Sequence, residues 1–252
     1  MEPYVKSEVH RHINTIEFFH PQSNSLPGKI LNELASKITH AGEDPETKVI
    51  ILRSAGDRAF CAGASFDELI AIKTEKEGLE FFSGFAKVIN AIRICPKFVI
   101  GRIHGRCVGG GVGLAAAVDY AIASSAAEVK LSELAIAIGP FVVGPAVERK
   151  IGVSAFSQLA IDASMWRSAE WARKRGLYAE VYAEAEDMDE AVRRLADRLM
   201  HSSPEAMAEL KRVFWKDTGH WDKLLFERAA ISGKLVTTDF AKQAIERVKA
   251  NK

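Results

Sequence analysis

The chain has 252 residues, 48% of them hydrophobic and 27% charged, enough for one large domain or two small ones around a substantial core. Lys and Arg number 34 against 33 Asp and Glu, so the formal net charge of +1 gives no reason to expect nucleic acid or an anionic membrane as partner. No apolar run approaches the ~18 residues of a membrane span, and Met1 to Val9 are too charged for a signal peptide, so the expected compartment is the cytoplasm.

In chain order, Tyr4 to Phe19 alternates apolar and polar residues and predicts two short strands paired as a hairpin. A helix is expected after Pro27, with Asn24 and Ser25 as caps, because Ile30, Leu31, Leu34, Ala35 and Ile38 recur at helical spacing. Lys48 to Arg53 and Phe98 to Ile103 read as buried strands, with one long helix from Glu68 to Ile94 between them. Strand, helix, strand implies a right-handed parallel crossover and a ligand site at the carboxyl ends of the strands. A helix follows from near Gly111, then short strands at Asp119 to Ala123 and Glu128 to Ser132, and beyond Val153 the pattern is helical to the end. No internal repeat is visible. The expected division is an α/β core over residues 1–190 and a helical region over 191–252.

Two glycine-containing stretches follow the predicted strands. In Ala59 to Ser65 small residues allow close approach to the main chain and leave N–H groups free, although alone such a loop is more often a tight strand-to-helix turn. In Gly109-Gly110-Gly111-Val112-Gly113 a helix N-terminus aims unpaired N–H groups at an anion or oxyanion. A dinucleotide site fits poorly, since the GxGxxG order is absent and Asp119 comes too early for a ribose-binding acid.

These two loops, with Asn24-Ser25-Leu26, Ile103-His104-Gly105, Asp119 and Ser132-Glu133 in this order, resemble the crotonase, or enoyl-CoA hydratase/isomerase, superfamily over most of the chain. The resemblance implies a spiral of ββα units with a helical C-terminal trimerisation region, assembled as a homotrimer or a dimer of trimers. It also implies an acyl-CoA thioester as substrate, with coenzyme A entering as part of that substrate and no separate cofactor or metal. The oxyanion hole would be the N–H groups of Ala64 and Gly110, with Ala62, Gly109 and Phe141 contacting substrate. Hydratases of the family use two glutamates, and here the first position is Gly113 and the second Glu133.

One acid suffices to move a double bond, whereas adding water benefits from two groups, so a lone Glu133 favours isomerisation over hydration. A non-catalytic or RNA-associated relative is a further alternative, motivated by the missing acid. The apolar Leu134 to Ile138 beside Glu133 could raise its pKa, although a solvated carboxylate is the ordinary fate of a glutamate. Asp67, Glu68 or Glu148 could supply a second acid, each with a better reading as a helix-surface charge. Phe141, Val142 and Val143 are bulkier than the family's usual glycine-rich stretch and are expected to shape the acyl pocket.

Cys61, Cys95 and Cys107 lack metal-ligand or CxxC spacing and read as reduced packing residues. His104 reads as structural. The four tryptophans, Trp166, Trp171, Trp215 and Trp221, read as packing residues, and Arg247, Lys249 and Lys252 as a charged terminal helix face.

Overall fold

The computed structural model describes residues 1–250; Lys252 lies outside the described residues. Strands β1 (Tyr4–His10) and β2 (Ile13–Phe19) form the expected hairpin, in register from Tyr4 opposite Phe19 to His10 opposite Ile13. Arg11 and His12 both take positive φ, 47° and 64°, as the tightest two-residue hairpin turns require. Helix α1 (Gly28–Glu43) buries Ile30, Leu31, Leu34 and Ile38, but its cap is Pro27 and not Asn24 or Ser25, whose side chains bond elsewhere.

The chain then runs through β3 (Val49–Ser54), β4 (Ala59–Cys61), α2 (Phe66–Ala71) and α3 (Glu75–Ile94). Next come β5 (Phe98–Ile103), β6 (Arg106–Val108), α4 (Gly110–Ala117), β7 (Tyr120–Ser124) and β8 (Val129–Lys130). A 3-10 helix, Glu133–Ile136, and α5 (Gly144–Ile161) follow. Strands β2, β3, β5 and β7 pair in parallel in a six-stranded sheet, and β4, β6 and β8 in a smaller three-stranded one. Each pass therefore lays a strand in the large sheet, a short strand in the small sheet and then a helical segment. This is the expected spiral of ββα units.

Two expectations need correction. The single helix from Glu68 to Ile94 is two helices, because Thr74 starts a new one: its hydroxyl accepts from the Glu77 N–H and the Glu77 carboxylate accepts from the Thr74 N–H, a closed capping box. The region beyond Val153 is not wholly helical. After α6 (Ala169–Lys174), β9 (Glu180–Tyr182) adds a parallel edge strand beside β7, a three-residue segment too short for a periodic signal.

Helices α7 (Ala185–Met200), α8 (Pro204–Phe214), α9 (Trp221–Val236) and α10 (Asp239–Ala250) complete the fold. The expected boundary at residues 190 and 191 falls inside α7, whose Met188, Ala191, Val192 and Ala196 pack on Val49, Ile51, Ile100 and Ile122 of the large sheet. Helices α3 and α9 cross where Gly78 meets Gly233, so closely that a Cβ on either would strike the other's backbone at 2.6 Å. Among the described residues no helix is long and apolar enough to cross a membrane.

Candidate active site

The small sheet places the site. Ala64 follows the end of β4 by three residues, Gly110 follows β6 by two and Glu133 follows β8 by three, so the carboxyl ends of three adjacent parallel strands deliver them to one place. The site was expected at the carboxyl ends of the strands at Lys48 to Arg53 and Phe98 to Ile103, but β4 and β6, only three residues each, intervene.

The Ala64 loop is held by the segment that was read as helix caps. Ala62 N–H donates to Asn24 O (3.1 Å), Leu26 N–H to Gly63 O (2.7 Å), Ser65 N–H to Leu26 O (3.0 Å), and the Ser25 hydroxyl to Ala64 O (2.9 Å). Asn24 Nδ2 also donates to Ala55 O and Ala59 O, fixing the turn before β4. Among the described residues no acceptor faces the N–H of Ala64 or of Gly110. The latter is the first residue of α4, where a helix has no internal acceptor to offer and its dipole is positive.

The loops meet closely. A Cβ on Gly63, φ +90°, would lie 3.7 Å from Gly110 N and 3.1 Å from Val108 O. Phe85, from α3, packs so tightly on Gly110 that a Cβ there would fall 2.2 Å from its ring. Gly109 N–H donates to Lys130 O (2.9 Å), and this β6–β8 contact carries Glu133 over Gly109, where a Cβ would come within 2.9 Å of the Glu133 carboxylate. With φ +51° as well, position 109 requires glycine.

Glu133 opens the 3-10 helix rather than ending a strand. Ala137, in the left-handed region, and Ile138 both donate their N–H groups to Glu133 O, which fixes its backbone. Part of the residue reaches solvent, but carboxylate Oε2 is buried with no hydrogen-bond partner. Burial pushes its pKa up to about 7, and its own N–H offsets that only in part.

Ala62, Ala64, Gly109, Gly110, Glu133 and Phe141 all line one cleft of about 900 Å³. Val142 and Val143 line it too, as expected of an apolar wall. Of the other acids considered, Asp67 lines the cleft and accepts from Gln22 Nε2 (2.9 Å); Glu68 accepts from the Gly28 N–H, and Glu148 is exposed outside the cleft. Lys249, read as a surface charge, lines the cleft with Lys130, because α10 folds back against the 3-10 helix. Its sequence signal was only its place in a basic last turn.

Trp215 and Trp221 are buried edge to face, 5.8 Å apart, as packing residues. Trp166 is not in the core: it is partly exposed, with Arg106 and Lys130 cations 4.8 and 4.4 Å from its ring. It lines a second cavity of about 550 Å³ that shares Ser23, Ala62 and Val108 with the cleft. The three cysteines are buried and unpaired, and burial pushes the Cys61 thiol up to about 12. The buried His104 ring, pushed down to about 4 by burial and by Arg102 and Arg53, lies outside the cleft. No group of three or more His, Cys, Asp and Glu able to hold a metal occurs among the described residues.

Known proteins match this architecture. Residues 8–247 fit the family model described as enoyl-CoA hydratase/isomerase. The carnitinyl-CoA dehydratase of Escherichia coli strain K12 is 30% identical over 198 residues, 77% of this chain and 73% of its own, and that of Proteus mirabilis is 30% identical over 203 residues with the same coverage. The enoyl-CoA hydratase of Bacillus halodurans shares the fold at a TM-score of 0.88 and 20% identity, covering 97% of this chain and 99% of that one. The enoyl-CoA hydratase of Mycobacterium smegmatis has a TM-score of 0.81 at 25% identity, covering 99% and 96%. With a family model matched over nearly the whole chain and the ββα spiral it calls for, this chain belongs to the crotonase, or enoyl-CoA hydratase/isomerase, family.

Proposed function

We propose that the protein isomerises enoyl-CoA thioesters, moving a double bond along the acyl chain. The thioester oxygen is held by the N–H groups of Ala64 and Gly110, and Glu133 takes a proton from one carbon and returns it to another. The observation that carries this reading is a carboxylate on the cleft wall whose Oε2 is buried without a hydrogen-bond partner and whose pKa burial pushes up to about 7, close to the pH at which a group that both accepts and returns a proton works best. Each main-chain donor is worth about 3 to 4 kcal/mol towards the enolate-like transition state.

Coenzyme A enters as part of the substrate, and this mechanism needs no other cofactor. Lys249 and Lys130 supply positive charge along the cleft, and the cavity at Arg58, Arg106 and Trp166 beside Ala62 offers cations and an aromatic face to the nucleotide end. A homotrimer or a dimer of trimers follows from family likeness.

A second reading is reversible hydration, favoured by the relatives named carnitinyl-CoA dehydratase. Incubation with 2-enoyl-CoA and 3-enoyl-CoA, following double-bond migration and 3-hydroxyacyl-CoA separately, distinguishes the two. Migration should dominate and fall at least about 100-fold in Glu133→Gln. Hydration without migration would establish the second reading, and full migration in the variant would remove Glu133 from the mechanism.

A further inference from the structure

Position 113 lies one turn beyond Gly110 on the same face of α4, at the spacing that stacks side chains one above the other. A Cβ there would meet Val143 Cγ1 at 2.5 Å and Val143 Cβ at 2.8 Å, with Ile89 Cδ1 at 3.6 Å. Contacts under 3.0 Å essentially never occur for real Cβ atoms, so no side chain fits at 113 while Val143 stays in place.

Val143 cannot easily yield. It is the N-terminal cap residue of α5, its carbonyl accepts the Val147 N–H at 3.0 Å, the residue is 4% exposed, and its side chain is stiff at χ1. It also lines the cleft. A side chain at 113 would therefore compete with Val143 for its place in the cleft wall.

Glu133 lines the same cleft. Hydration needs one group to take a proton from water as the water oxygen bonds to the β-carbon, and another to deliver a proton to the α-carbon. Asp67, the other carboxylate on the cleft wall, is engaged by Gln22 in an exposed pair.

Resting on the isomerase reading above, we propose that Val143 determines the reaction: by filling the space over Gly113 it bars a second acid, and the water that acid would activate, and confines Glu133 to moving a proton between carbons of the bound thioester. Opening this wall should therefore admit water chemistry.

The test compares wild type with Gly113→Glu, Val143→Gly and the double variant, by thermal melting and by product analysis with 2-enoyl-CoA and 3-enoyl-CoA. Gly113→Glu alone should melt well below wild type, and adding Val143→Gly should recover much of that loss, a coupling expected only of side chains that compete for one volume. The double variant should raise the ratio of hydration to migration at least tenfold. Should the double variant fail to fold, Val143→Gly alone carries the test in D2O: the migrated product should hold several-fold more deuterium than wild type gives, as solvent reaches the transferred proton.

A Gly113→Glu protein as stable as wild type, an unchanged product ratio in a folded double variant, or unchanged deuterium content in Val143→Gly would each overturn the role of Val143. Failure of the isomerase reading is distinguishable: wild type would then hydrate 2-enoyl-CoA faster than it migrates the double bond, before any variant is compared, and both proposals would fall together.

Discussion

The buried carboxylate of Glu133 makes the stability of the molecule depend on pH. In an unfolded chain its carboxyl ionises near 4.5, and in the folded protein burial moves that to about 7. Below 4.5 the group is neutral in both states and its burial costs little. Between 4.5 and about 7 the unfolded chain gives up this proton while the folded protein keeps it, so stability falls, by about 3 kcal/mol relative to acid conditions once the folded carboxylate has ionised. Glu133→Gln, the same shape without the charge, should therefore unfold at higher urea than wild type at pH 8, by up to about 3 kcal/mol, with no advantage at pH 4. An equal effect at both values would mean the gain came from packing and not from ionisation. Glu133 was singled out by the family resemblance, and its apolar flank suggested the raised pKa. Its contact with Gly109 was not legible, because β6–β8 pairing creates that contact and β8 is only two residues long. Nor was the filled space beyond Gly113 legible: a missing acid can be read from letters, but the valine that takes its volume comes from a different segment of the chain.

Among the elements, α2 shows how local chemistry overrides periodicity. Apolar residues keep helical spacing from Glu68 to Ile94, yet the chain breaks at Thr74, where Thr-x-x-Glu forms a capping box. The break frees α2 to turn its Phe66 and Leu69 towards Ile138, Val236 and Ile245, making one wall of the cleft. Thr74→Ala should cost about 1 kcal/mol of global stability and loosen the start of α3 locally, seen as faster amide exchange at Glu77 and Gly78 with exchange in the middle of α3 unaffected. Uniform exchange changes along α3 would argue against a local role for the cap. The Thr-x-x-Glu signature stands in the sequence, but the expected single helix rested on hydrophobic spacing alone. The hairpin, α1 and the two long strands were legible because each is long enough to show its period. Strands β4, β6 and β9, three residues each, are too short to show one, whereas β8 falls inside the strand expected at Glu128 to Ser132.

At the scale of the molecule, three ββα passes repeat in topology with no repeat in sequence, since what recurs is the alternation of two sheets and not any residue pattern. The helical tail must then be fastened to this spiral, and Asp119, the residue before β7, does so. Its carboxylate accepts from the Val99 N–H at 2.8 Å, from Trp215 Nε1 at 3.0 Å and from Lys211 Nζ at 2.8 Å, joining β5 to α8 and the residue that follows it. The Lys211 and Asp119 side chains are only 2% and 7% exposed, and Lys211 also donates to Lys97 O. A buried pair of this kind is costly to break from one side, because the surviving charge stays in low dielectric. The two sides are unequal. Lys211→Met leaves Asp119 with two N–H donors and the nearby Lys150, whose ammonium bonds the Asp119 carbonyl. Asp119→Asn instead leaves the buried Lys211 ammonium without a counter-charge, with only neutral oxygens to bond, and should cost about 3 to 5 kcal/mol. Urea unfolding should therefore rank Asp119→Asn below Lys211→Met, with the double variant more stable than Asp119→Asn alone, since removing the ammonium removes the unpaired charge. If the double variant were the least stable of the three, the anchor would depend on packing around α8 and not on the charge pair.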